Sequence, residues 1–235
     1  MELAGKTVLV TGGSDGIGWH ICLKLAAAGC QVAVLGRNAE RLASVVEEAR
    51  SHGAPKAEGY ACDMRDVEQI LETAARVGAD FDGIDILINN AGIWHKTGPL
   101  DSIPSEMVDD VVETNLTGVI HLTRACLLML RARPEAAILN VVSKSGVVAQ
   151  DGQSVYTATK YGVRGFTEVL KADEENSGVR VAGLYQSGTN TSMFAKAGEQ
   201  VPNEIFTEPD DLADVVVFVL SRPPKLWIHD IRVEL

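Results

Sequence analysis

The strongest constraint on this chain is an unbroken alternation of short β-branched apolar runs with longer helical patterns. Thr7–Val10, Gln31–Leu35, Ile84–Ile88, Ala137–Val142 and Val179–Leu184 read as strands. Their near-continuous hydrophobicity suits strands covered on both faces, as in a parallel sheet. Helical stretches lie between and after them, at Ile17–Ala28, Ala39–His52, Val67–Val77, Ser105–Arg131, Val155–Asn176 and Pro209–Leu220. Gly29 stands where a C-terminal glycine ends the first helix, and Leu42, Val45, Val46 and Ala49 make one apolar stripe on the second. The alternation predicts an α/β fold, an open doubly wound parallel sheet flanked by helices on both faces. The closing IHDIRVEL alternates enough to add a last strand. No Pro- or Ser-rich linker or repeat interrupts the pattern, so residues 1–235 read as a single domain.

Charge narrows the classes of partner. Acidic residues number 32 against 21 basic ones, a formal net charge of −11. Such a surface repels phosphate backbones and anionic lipid, so neither nucleic-acid nor membrane binding is expected. One small anion in a locally positive cleft stays compatible with it. Cys22, Cys30, Cys62 and Cys126 form no C-x-x-C pair and no metal-ligand spacing, so they read as small buried hydrophobes in a reducing compartment, with no metal site. No apolar stretch approaches the ~20 residues that span a bilayer. The start MELAGKTVLVTGG has no signal-peptide pattern, so a soluble cytoplasmic protein is expected.

Thr11–Gly18 reads TGGSDGIG, directly after the first strand and before a helix. Gly12, Gly16 and Gly18 permit a tight turn and close backbone approach, and the helix behind them points unpaired N–H groups at a phosphate. Strand, glycine turn and helix together give the Rossmann-like dinucleotide arrangement. The end of the second strand then selects the ribose. A carboxylate there would bind a 2′-hydroxyl, but the chain has Gly36, Arg37 and Asn38. Arg37 suits a 2′-phosphate, which favours NADP(H); Asp15 inside the turn adds opposing negative charge, and NAD(H) stays as the alternative.

Tyr156 and Lys160 are spaced i and i+4 in YTATK, which puts both on one helical face. A nearby ammonium favours a phenolate, making Tyr156 a plausible acid/base for a carbonyl–alcohol pair. Ser143 closes the Ala137–Val142 strand pattern, at the carboxyl edge where such sheets bind ligands. Asn89-Asn90-Ala91-Gly92 follows Ile84–Ile88 at the same edge, and Asn115 sits inside a helix pattern where its amide is a poor helix former, marking a kink or a water site.

In this order and context the motifs resemble the short-chain dehydrogenases/reductases. Thr11, Gly12, Gly16 and Gly18 match that family's TGxxxGxG, Asp63 in CDMRD its adenine-contacting acid, and Asn89 to Gly92 its NNAG. Asn115, Ser143, Tyr156 and Lys160 match its catalytic tetrad. Length and glycine spacing resemble the short single-domain branch. The resemblance implies an NAD(P)-dependent oxidoreductase acting on CH–OH groups. Lys160 would hold the nicotinamide ribose and lower the Tyr156 pKa, and Tyr156 would pass the proton. Ser143 would orient the reacting oxygen, and Asn115 would support a proton-relay water. Cofactor contacts are implied at the glycine turn, with Ser14, Asp15 and Ile17 beside the glycines. Arg37, Asn38, Asp63 and Met64 follow at the adenosine end, then Asn90, Ala91 and Gly92, and Thr189 and Thr191 beyond the fifth strand pattern.

Two departures stand out. Where the family has Pro-Gly after the Val179–Leu184 strand, this chain has Gln186-Ser187. That substitution leans toward a second reading, a nucleotide-binding sensor or regulator of the same fold with little turnover; an isomerase or dehydratase is a third. The tail PPKLWIHDIRVEL replaces a strand ending in Gly-Gly and resembles a subgroup of 3-hydroxy acid dehydrogenases. A small-molecule carbonyl or alcohol substrate is expected among Ser143, Tyr156, Trp94, Gln186 and Met193, with Ile93, Phe194, Ser145 and Gln150 as further wall residues. Residues about 189–206, with Gly198 and Pro202, read as a mobile substrate loop. His95, Lys144 and Lys196 read as solvated surface residues. Relatives dimerise through the helices at Ser105–Arg131 and Val155–Asn176, so a homodimer or homotetramer is implied.

Overall fold

The apolar runs pair side by side, in parallel, into one sheet. The computed structural model describes residues 1–202 and 205–234. Its strands are β1 (Thr7–Thr11), β2 (Gln31–Gly36), β3 (Ala57–Ala61), β4 (Ile86–Asn89), β5 (Ala136–Val141), β6 (Val179–Gln186) and β7 (Asp230–Val233). They lie in the order β3-β2-β1-β4-β5-β6-β7. The helices are α1 (Gly16–Ala27), α2 (Ala39–Ser51), α3 (Val67–Asp80), α4 (Ser105–Val112), α5 (Gly118–Arg131), α6 (Ser154–Asp173), the single-turn α7 (Met193–Lys196) and α8 (Pro209–Leu220).

The period-2 alternation of strand side chains sorts the core into two layers. Val8 and Val10 of β1, with Ile86 and Ile88 of β4, pack with α1, α2 and α8. Leu9 and Leu87 point the other way, into a second layer with α3, α5 and α6. The doubly wound sheet with helices on both faces is therefore the fold observed. All four cysteines are free and buried, as the sequence indicated. No helix among the described residues is long and apolar enough to cross a membrane.

Three expectations change. β3, with the sequence AEGYA, carries no strong strand pattern; it exists because its backbone pairs with β2 from Val32↔Ala57 to Gly36↔Ala61. The stretch Ser105–Arg131 is not one helix: a π-helical turn at Glu113–Thr117 separates α4 from α5 and contains Asn115. Such an inserted turn is common near functional sites. The loop at 189–206 carries the short helix α7, and its residues 203 and 204 lie outside the described residues. The predicted final strand forms, pairing parallel to β6 as Gly183↔Asp230 to Gln186↔Val233.

The kink is held by a close backbone approach. A Cβ on Gly118, the first residue of α5, would stand 2.2 Å from the Met64 carbonyl oxygen and 3.1 Å from that of Glu113. Backbone on both sides leaves nothing flexible to yield. Gly118→Ala should destabilise the fold by about 1–3 kcal/mol through overpacking, read as a lower midpoint in urea unfolding.

Candidate active site

At the carboxyl edge of the sheet, the crossovers leaving β1 and β4 diverge and open a cleft of about 640 Å3. Such a switch point is where open α/β sheets bind ligands. The cleft runs from Arg37, Asp63 and Met64 at one end, past Ser14, Gly16 and Ile17, to Ser143, Tyr156, Lys160 and Gln186 at the other.

The β1–α1 turn is built by exclusion. Gly12, at φ 63°, lies so close to the β4 exit that a Cβ would sit 2.9 Å from the Ala91 Cα. A Cβ on Gly18 would sit 2.3 Å from the Gly12 carbonyl oxygen. Gly18 does not line the cleft; it lets the helix pack against the turn. Asn90 cross-links the same region, its Nδ2 donating to the Thr11 carbonyl at 2.9 Å while Thr11 Oγ1 accepts from the N–H groups of Asn90 and Ala91 at 3.0 and 2.9 Å. The Asn90 amide thus serves the scaffold as well as the wall. A phosphate fits this cradle, with backbone laid open by glycine and the N-terminus of α1 behind it.

Asn38, expected among the cofactor residues, has its side chain engaged in the fold. Its side chain caps α2 by accepting from the Arg41 N–H at 2.9 Å, and the residue does not line the cleft. Asp15 also differs from expectation. It caps α1 through the Gly16 N–H at 2.8 Å and pairs with Arg41 at 2.7 Å, with Lys196, and with the Ser192 hydroxyl at 2.9 Å. Its charge is therefore compensated. Lys196, expected to be solvated, is exposed but engaged, so Asp15 latches the α7 segment over the glycine turn. Asp63 lines the cleft while bonded to Arg65 at 2.7 Å, whose guanidinium holds the carboxyl below its usual range. Arg37 is exposed at the rim.

The four tetrad positions converge from three elements: the turn after β5, the π-helical turn and α6. Ser143, in the turn after β5, has φ 123°, a strained conformation for a residue with a Cβ. Its Oγ accepts from the Ser145 N–H at 3.1 Å. Tyr156 lies in the first turn of α6 and Lys160 one turn on, with Nζ 5.5 Å from the Tyr156 ring centroid and donating to the Val141 carbonyl at 3.0 Å. Burial pushes the Tyr156 phenol up to about 12, opposed by the Ser143 hydroxyl beside it. Burial alone brings the Lys160 amine down to about 8. At neutral pH the phenol is thus protonated and the amine largely charged. Asn115 clamps the chain after NNAG: its Oδ1 accepts from the Ile93 N–H at 2.7 Å and its Nδ2 donates to the Ile93 carbonyl at 2.9 Å. A Cβ on Gly92 would make ordinary contacts with Asn115 Oδ1 at 3.4 Å and Lys160 Nζ at 3.8 Å, so both groups flank this one strand exit.

The expected substrate wall is partly aromatic. The Trp94 ring is buried edge-on against Tyr156 (centroids 4.5 Å, 64°) and against Phe194 of α7 (5.1 Å, 76°). Its Nε1 donates to Glu199 at 2.6 Å, a tie between loop and wall that no sequence pattern signals. Met193 and Lys144 are half-buried on the wall, while Gln150 is exposed and donates to Ser145. A Cβ on Gly16 would meet the Thr191 methyl at 3.2 Å, and Thr189 bridges to Thr207. Gln186 is 9% exposed, lines the cleft, and its Oε1 has no hydrogen-bond partner among the described residues. Unlike proline, it continues the β6–β7 ladder. His95, expected to be solvated, is 2% exposed; Tyr156 N–H donates to its Nε2 at 3.3 Å.

The latch carries a pH dependence. Burial works against the Asp15 carboxylate, but hydrogen bonds from Lys196 and Ser192 outweigh it and bring the group from its ordinary 3.8 down to about 2. A depressed folded value means the contribution is present above 3.8 and is lost as pH falls through about 2. Lys196→Ala should move the Asp15 titration upward toward 3.8, read by carbon-13 NMR of the carboxyl.

Comparison with known proteins agrees with this geometry. The sequence profile described as short chain dehydrogenase matches residues 6–202, from the first strand through the α7 segment. Cis-2,3-dihydrobiphenyl-2,3-diol dehydrogenase of Paraburkholderia xenovorans (strain LB400) is 36% identical over 233 residues, covering 96% of this chain and 81% of that protein. Acetoacetyl-CoA reductase of Rhizobium meliloti (strain 1021) is 35% identical over 231 residues, covering 92% and 91%. Among solved structures, a short chain dehydrogenase from Burkholderia cenocepacia J2315 in complex with NADP superposes with a TM-score of 0.88 at 31% identity, covering 100% of this chain and 98% of that one. With a family profile spanning both the glycine turn and all four tetrad positions, the chain belongs to the short chain dehydrogenase family.

Proposed function

We propose that the protein is an NADP(H)-dependent oxidoreductase that interconverts a carbonyl and an alcohol on a small-molecule substrate, with Tyr156 as general acid/base. The observation that carries this reading is the convergence of Ser143, Tyr156 and Lys160 at one end of a cleft whose other end is a phosphate-accepting glycine turn. The complex of the Burkholderia relative with NADP supports the choice of cofactor.

The residues at hand fit a dinucleotide. The α1 N-terminus and the Gly12–Gly16 backbone would hold the pyrophosphate. Asp63 and Met64 would flank the adenine, and Arg37 would pair with a 2′-phosphate. Gly92 and Lys160 would meet the nicotinamide ribose, with Thr189 and Thr191 at the nicotinamide end. When bound, the nicotinamide exchanges a hydride with the substrate carbon. Tyr156 Oη gives its proton to the carbonyl oxygen in reduction, and takes one from the hydroxyl in oxidation. Its protonated resting state suits the first direction; the Lys160 ammonium supports the phenolate needed in the second. Ser143 Oγ donates a hydrogen bond to the same oxygen as charge develops there. Both amide atoms of Asn115 are occupied by Ile93, so its first task is to hold the floor of the site, with one lone pair left for a relay water. Trp94 and Met193 exclude water around the reacting carbon, and the Gln186 amide offers it a polar contact. Exposed Leu128 on α5 and Val169 on α6 support self-association through these helices, as a homodimer or homotetramer.

The test is turnover of NADPH with 2,3-butanedione, ethyl acetoacetate and benzaldehyde, alongside direct titration of NADPH and NADH. Tyr156→Phe should lower kcat by about 10²–10⁴-fold while NADPH still binds with its original affinity; intact turnover would remove the acid role. Arg37→Ala should weaken NADPH by about tenfold or more, the loss of a charged hydrogen bond, and leave NADH within about twofold. Equal effects on both nucleotides would remove Arg37 from 2′-phosphate recognition.

A further inference from the structure

We propose that His95 is a positioning residue for Tyr156, its neutral imidazole capping the first turn of α6 from a distant loop. The inference rests on the reading of Tyr156 as general acid/base. α6 begins after Gln153, whose side chain makes no capping bond. The N–H groups of a helix's first turn have no partner within the helix, and a cap normally comes from Ser, Thr, Asp or Asn at its own N-terminus. Here the acceptor arrives from 61 residues earlier: the Tyr156 N–H donates to His95 Nε2 at 3.3 Å.

The two backbone neighbours fix the state of the ring. An N–H can only donate, so Nε2 must carry its lone pair. Nδ1 faces the Lys96 carbonyl at 3.0 Å, which can only accept, so Nδ1 must carry the proton. One neutral tautomer satisfies both contacts, and the ring is 2% exposed, leaving no room for water to replace it. His95 also stacks on Trp94, with centroids 6.0 Å apart and planes 10° apart, and Trp94 in turn sets its ring against that of Tyr156. Tyr156 is therefore gripped at its backbone by His95 and at its phenol by Trp94. Both grips come from the segment that follows Gly92, so the exit of β4 sets where the acid/base stands. An apolar residue at position 95 keeps the bulk and leaves a buried donor unpaired, which loosens the helix start. A displacement of ~1 Å at a reacting group is enough to cost ~10²-fold in rate.

The experiment compares His95→Leu with His95→Gln, whose amide oxygen reaches the Nε2 position. Residue-resolved hydrogen exchange on the full chain needs no substrate. The Tyr156 amide should be protected in the wild type and in His95→Gln, and exchange at least about tenfold faster in His95→Leu, with α2 and α5 unchanged. With NADPH and the most rapidly reduced carbonyl of the three, kcat should fall about 10–100-fold in His95→Leu, with NADPH affinity unchanged and recovery in His95→Gln. In a Tyr156→Phe background, His95→Leu should lower the residual rate no further. Should His95→Leu not fold, His95→Asn, too short to reach the Tyr156 N–H, replaces it with the same expected loss. An unprotected Tyr156 amide in the wild type, equal behaviour of the Leu and Gln variants, a parallel fall in NADPH affinity, or an additive double variant would each overturn the proposal. A wild type that binds no NADPH would instead count against the functional reading, and the exchange result would still decide the cap.

Discussion

The close approach of the β1–α1 turn to the exit of β4 is the contact on which the remaining architecture depends. In a parallel sheet every strand needs a crossover, and the side on which each crossover passes decides where the surface opens. With β2 and β3 on one side of β1 and β4 through β7 on the other, the chain reverses direction between β1 and β4. The cleft is a consequence of that reversal. Thr11, Asn90 and Gly12 hold its two lips at hydrogen-bonding and van der Waals distance, and Gly118 repeats the device at the α4–α5 kink by seating backbone against backbone. Glycine is used here for the space it leaves. Each of these glycines removes a methyl group that would push apart two segments carrying functional side chains.

Burial then sets the chemistry of what the cleft contains. The same desolvation that raises the Tyr156 phenol lowers the Lys160 amine, because each neutral form is favoured away from water. The two shifts open a gap, about 12 against about 8, so the phenol holds its proton at rest while the amine is the easier group to neutralise. The surrounding scaffold holds both without a counter-carboxylate: Lys160 is anchored on a carbonyl, and Tyr156 on an imidazole lone pair and an indole edge. The carboxylates that do reach the cleft, Asp15, Asp63 and Asp110, are already paired with cations.

Much of this was legible in the chain. The strands at Thr7, Gln31, Ala137 and Val179 could be read because strands covered on both faces leave near-continuous apolar runs. β3 could not, since an edge strand with Glu58 and Gly59 draws its stability from pairing with β2 and not from composition. The break within Ser105–Arg131 was signalled only by one poorly placed Asn. The tetrad was legible through residue type and spacing. Its support was not: the Asn115 clamp on Ile93, the His95 cap on Tyr156 and the Glu199 tie to Trp94 join residues with no regular separation. The surface expectation for His95 failed for the same reason, whereas Lys196 stays exposed and pairs with Asp15. Polarity predicts exposure on average, yet a polar side chain with two matched partners is stable in the interior.

The sequence by itself determined the fold class, the glycine turn, the family and the side chains proposed here to react, because local period and short motifs are encoded within a few residues. Only the tertiary structure decided which polar groups hold those side chains in place, that Asn38 caps α2, that Asp15 latches α7, and that Gln186 stands buried with an amide oxygen unpartnered among the described residues. Those outcomes depend on which backbone donors and acceptors are left over once the sheet closes, and that remainder is a property of the packed chain rather than of any segment of it.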